Sequence, residues 1–109
     1  MSIEIYRKEV QARGQFDGGK IVENKPVGFP REGGSVTAYS NIFYWANAES
    51  PDGGFIAEHP HKGFEIMSFV IDGSIEHFDS GSNKWIPLKK GDMQIIRAGN
   101  GITHAERLN

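Results

Sequence analysis

Along this chain apolar residues recur at every second position in short runs, and no run keeps the 3.6-residue period of an amphipathic helix for three turns. Ile3-Glu4-Ile5 alternates like a half-buried edge strand, and the weak pattern over 4–12 reads as strand too. A turn-rich break over 14–19 leads to a short mixed strand over 20–27, which Pro26, Gly28 and Pro30 end. The turn Arg31-Glu32-Gly33-Gly34 precedes the first strong strand, 35–45, rich in β-branched and aromatic residues with apolar side chains on both faces. Residues 46–54 read as a loop, and 55–61 as the next strand. The following stretch, 64–71, is apolar on both faces and therefore central. Asp72-Gly73 is a two-residue hairpin signal that returns 74–79 as its partner. Turns at 80–83, 89–92 and 99–101 separate strands over 85–88, 93–97 and 102–106. The pattern predicts one all-β domain over 1–109, with an antiparallel meander in its second half.

Composition narrows the classes of function. Fourteen glycines and five prolines in 109 residues suit many short strands joined by turns. A net charge of −2 with no basic run argues against nucleic acid, and no apolar run reaches the ~20 residues of a membrane span. The N-terminal residues lack the apolar core of a signal peptide, which makes the cytoplasm the expected location. With no cysteine there is no disulfide and no thiolate, so any metal must be held by nitrogen and oxygen.

Two residue pairs carry candidate chemistry. His59 and His61 flank Pro60, and two residues apart on an extended chain they face the same way. Pro60 cannot donate to a ladder, so this pair is expected at a strand end or an irregular edge. His104 and Glu106 repeat the same step some forty residues later. A barrel joining those strands would set three imidazoles and one carboxylate around a point. Such a nitrogen and oxygen site with open positions suits Fe(II) best, with Ni, Mn, Cu or Zn as other candidates.

The segment from His59-Pro60-His61-Lys62-Gly63-Phe64-Glu65 through Asp72-Gly73-Ser74-Ile75-Glu76-His77-Phe78-Asp79-Ser80 resembles the first signature of the pirin family, in the cupin superfamily. Gly91-Asp92-Met93-Gln94, followed by Ala98-Gly99-Asn100-Gly101-Ile102-Thr103-His104-Ala105-Glu106, resembles the second. The resemblance implies a cupin-type antiparallel β-barrel, or jelly roll, and a metal, usually iron, held by His59, His61, His104 and Glu106. Other cupins draw the carboxylate from the first motif, which here is Glu65; Gly63 between it and His61 makes strand parity unsafe, so Glu65 stays as the alternative. The resemblance gives His77 no ligand role, and a partly exposed strand histidine is the expectation there. Phe55 and Phe64 are the expected pocket aromatics, with Gln94 as a polar neighbour.

In function, the resemblance implies a quercetin 2,3-dioxygenase-type oxidoreductase acting on a flat, flavonol-like aromatic with dioxygen, with Glu106 as ligand and proton acceptor. It equally implies a non-enzymatic regulatory module whose metal shapes a protein-binding surface. A metal-free small-ligand barrel is the third reading. Pirins usually carry two cupin domains, whereas this sequence holds one motif pair and ends three residues after Glu106. A cupin sheet lacking its usual last strand would expose an edge, from which a homodimer is expected.

Overall fold

The structure, a computed structural model, describes residues 1–109. It is all-β, with three single turns of 3-10 helix and no α-helix, and every strand pairing is antiparallel. No helix is long and apolar enough to cross a membrane. The chain forms two compact units, Met1–Ser50 and Pro51–Asn109.

In the first unit, strands β1 (Ala12–Phe16), β2 (Ile21–Val27) and β3 (Trp45–Glu49) form a sheet in that order. Ala12, Ile21 and Val27 are its buried apolar residues. Pro26 lies inside β2 without breaking it, because the β2–β3 register shifts between Asn24 and Val27 and no ladder bond is asked of the proline there.

Several expectations fail in this unit: β1 runs through 14–16, which read as part of a break, and the strand expected over 4–12 gives way to a 3-10 turn at Lys8–Val10. Residues 3–5 form no strand: Ile3 and Ile5 are exposed and the alternation finds no partner to pair with. The strong strand expected over 35–45 is absent as well. Ser40 takes a φ of 53°, and Tyr39 and Ile42 close a tight turn through reciprocal N–H···O bonds of 2.8 and 2.9 Å. Strand propensity expresses packing against neighbours, and here the turn folds the segment back so that Phe43 and Tyr44 pack on Phe29 from a loop and not from a strand. β3 falls instead on residues that read as a loop.

The second unit holds β4 (Gly54–His61), β5 (Glu65–Phe69), β6 (Ser74–Asp79), β7 (Lys84–Lys89), β8 (Met93–Arg97) and β9 (Ile102–Leu108). Four of these make a sheet in the order β4-β9-β6-β7, and β5 with β8 makes a second. This is a cupin-type antiparallel arrangement in which the two sheets are not closed into one barrel. It is not the predicted meander, since of the strands consecutive in sequence only β6 and β7 pair. The chain does bend at Asp72-Gly73, where Gly73 has a φ of 73°, but the strands on either side enter different sheets. Val70, Leu88, Ile96, Ala98 and Ala105 are the buried apolar residues of this unit.

Candidate metal centre

The register of the four-stranded sheet places the candidate ligands. On an antiparallel ladder, directly opposed residues project to the same face. His59 on β4 opposes His104 on β9, and His104 in turn opposes Asp79 on β6. Two residues along, Glu106 opposes Ile56 on one side and His77 on the other. Between Ile56 and His59 the β4 register slips, so three steps on β4 span two steps on β9. This bulge brings His59 and His61 onto the face of His104 and Glu106; an unbroken ladder from Ile56 would have put them on the reverse.

The result is a histidine cluster. Ring centroids lie 4.2 Å apart for His59 and His104, 4.6 Å for His61 and His104, and 4.8 Å for His59 and His61. These three offer ligand nitrogens that all lie within 4.8 Å of one another. A second group of the same kind comprises His77, His104 and Glu106, with His104 shared. Three of the four predicted ligands therefore fall in one group, while Glu106 stands beside His104 with its Oε1 3.6 Å from Nδ1.

Two of these imidazoles have a defined second contact. His59 Nδ1 lies 2.7 Å from the Ala57 carbonyl and donates to it, which leaves the Nε2 lone pair free. His104 Nδ1 is 3.0 Å from His77 Nε2, and its Nε2 is buried with no hydrogen-bond partner. An orphaned buried nitrogen beside two further imidazoles is the signature expected of a ligand nitrogen. The electrostatics agree. Burial, followed by the neighbouring histidines His59, His77 and His61, pushes the His104 pKa down to about 3, against the pull of Asp79. His61 is lowered by burial and by His59. Both are neutral at pH 7, as metal binding requires.

Other sequence expectations resolve as follows. His77 is fully buried at 0 % exposure, not partly exposed. Its strand sits between β9 and β7, and its face is the cluster's own. The signal was present in the sequence, because Ile75, His77 and Asp79 share strand parity, but which face was interior depended on pairing. Glu65 lies on β5 in the other sheet, bound to Arg97 Nε at 2.7 Å, and joins neither histidine group. Phe64 packs edge-on to His61 with centroids 5.1 Å apart. Phe55 does not line the site: it opposes Arg107 and packs against Trp85 on the reverse of the sheet. Gln94 sits on β8 with its Oε1 buried and unpartnered. Beside His61 opens a cleft of about 430 Å³, walled by Pro60, Lys62, Ser80, Ile102 and Thr103.

Comparison with known proteins gives a consistent result. The pirin family model matches residues 36–109. A quercetin 2,3-dioxygenase of Escherichia coli is 48% identical over 48 residues, 44% of this chain and 20% of its own length. Pirin-like protein 2 of Arabidopsis thaliana is 44% identical over 57 residues, 52% of this chain and 17% of its own. A pirin-like protein of Caulobacter vibrioides is 44% identical over 63 residues, 57% of this chain and 26% of its own. The chain thus spans about a fifth of the length of these curated relatives. No solved structure matches it.

Proposed function

The chain belongs to the pirin family, and from that premise we propose that it holds one divalent metal through His59, His61 and His104, with Glu106 as the fourth ligand. The observation that carries this reading is the unpartnered, buried Nε2 of His104 beside two half-buried imidazoles. Three imidazoles with one carboxylate favour Fe(II), and Ni, Mn, Cu or Zn are accommodated by the same donors.

The proposed reaction is dioxygenation of a flat, flavonol-like aromatic. A relative's name, quercetin 2,3-dioxygenase, supports this class. When bound, such an ion supplies Lewis acidity and redox chemistry. The chain supplies the rest. Neutral imidazoles present lone pairs without first losing a proton, since burial already disfavours their charged forms. Glu106, half-buried beside His104, is the carboxylate proposed to accept a substrate proton. The open cleft that His61 helps to line is the recess in which the aromatic ring is proposed to sit.

The test is anaerobic loading with Fe(II) or Ni(II), followed by quercetin and oxygen-uptake measurements. Turnover that disappears in His59→Ala supports the reading. A loaded protein with no uptake removes the enzymatic part, and substoichiometric metal after reloading removes the site and leaves a metal-free barrel.

One observation favours a second reading, a metal-dependent interaction module. Met67, Phe69 and Met93 are 69%, 63% and 58% exposed on one face of the β5–β8 sheet, an apolar surface suited to a protein partner. In that case the metal's oxidation state changes partner affinity while turnover is absent. A homodimer is the simplest such partner, and sedimentation showing a monomer at micromolar concentration would remove it.

A further inference from the structure

The fourth histidine is not accounted for by a three-histidine, one-glutamate site. His77 is fully buried, and its Nε2 lies 3.0 Å from His104 Nδ1, within hydrogen-bond reach. We propose that His77 is a positioning residue for the metal ligand: its Nε2 accepts the Nδ1–H of His104 and holds that ring in the tautomer whose Nε2 lone pair faces His59 and His61.

Two arrangements of the pair are conceivable, and the surroundings separate them. If His77 donated, His104 would turn an Nδ1 lone pair toward the Glu106 carboxylate, whose Oε1 is 3.6 Å away, and carry a proton on a buried Nε2 that has no acceptor. If His104 donates, both groups facing its Nδ1 are acceptors, and its bare Nε2 awaits a cation. Each arrangement leaves one buried N–H without an acceptor, on His104 Nε2 in the first and on His77 Nδ1 in the second, so these costs offset one another and the carboxylate facing His104 Nδ1 decides. Glu106 Oε1 is beyond direct hydrogen-bonding range of Nδ1, which leaves His77 as the acceptor that fixes the ring. The carboxylate that most often plays this part behind a ligand histidine is replaced here by a second imidazole. Asp79 opposes His104 across the ladder, and its two oxygens accept from Ser82, from the backbone N–H at 2.7 Å and the hydroxyl at 3.0 Å.

The inference rests on the metal reading for its affinity arm only, and its tautomer arm uses metal-free protein. Nitrogen-15 NMR of the metal-free wild type is expected to show His104 protonated at Nδ1. A His104 protonated at Nε2 overturns the proposal without needing any variant. Fe(II) and Zn(II) titrations are then compared in His77→Leu and His77→Gln. Loss of the acceptor in the Leu variant is expected to weaken binding about 10–100-fold. The Gln variant, whose side-chain oxygen reaches where Nε2 stood, recovers most of that loss and restores the Nδ1–H signal. Equal weakening in both variants, with one fewer imidazole counted at the metal by X-ray absorption, would make His77 a ligand and overturn its positioning role. If the wild type binds neither metal, the metal reading falls and the tautomer measurement still decides this one.

Discussion

Acid should destabilise the metal-free protein through His104 before it protonates most carboxylates. The folded state holds this imidazole at a pKa of about 3, against 6.5 for an ordinary histidine. A folded pKa below the unfolded one means that the unfolded chain binds more protons as the pH falls. The stabilisation is therefore complete above about pH 6.5 and drains away as the pH drops towards 3. Linkage between those two pKa values gives a loss on the order of 2 kcal/mol between pH 8 and pH 5 from this one residue. His61 and His77 are shifted in the same direction and add to the slope. The assay is urea denaturation of chelator-treated protein at pH 8, 6.5 and 5, comparing wild type with His104→Gln. The variant starts less stable but loses about 2 kcal/mol less across the range. Parallel pH slopes, or a His104 that titrates near 6.5 by NMR, would refute the reasoning.

Three further outcomes follow from the same geometry. His61→Ala should weaken metal binding about 100-fold or more with little change in circular dichroism, since His61 is only half-buried; calorimetric titration checks it. Glu65→Ala should leave metal affinity unchanged and alter stability by no more than about 0.5 kcal/mol, because its partner Arg97 is exposed; a lost metal would return Glu65 to the ligand set. Asp79→Ala removes the acceptor of the Ser82 backbone N–H and hydroxyl in the turn after β6, and should cost about 1–2 kcal/mol in chemical denaturation, with Asp79→Asn retaining part of it.

Much of the candidate site is legible in the order of residues alone. The step of two between His59 and His61, and between His104 and Glu106, puts each pair on one face of whatever strand carries it. That is a property of the extended backbone and needs no partner. Turn residues mark the ends of most strands in the second unit for an equally local reason, since Gly73 and Gly91 take positive φ values that other residues resist. Pairing lies beyond local reading. Asp72-Gly73 has the sequence of a hairpin turn, yet β5 pairs with β8 and β6 with β9, because partner choice is set by which apolar faces can be buried together. The strand expected over 35–45 gives way to a turn at Ser40 for the same reason.

Tertiary structure decided the rest of the site. The β4 bulge that turns His59 towards His104 exists only as a mismatch between two strands, so neither strand's sequence states it. The burial of His77 depends on β9 and β7 lying on either side of β6. Glu65 and Glu106 are both carboxylates at plausible spacing, and what separates them is that one lies on β5 and the other on the strand that carries His104. Local periodicity fixes which side chains share a face, whereas the register between distant strands fixes which faces meet.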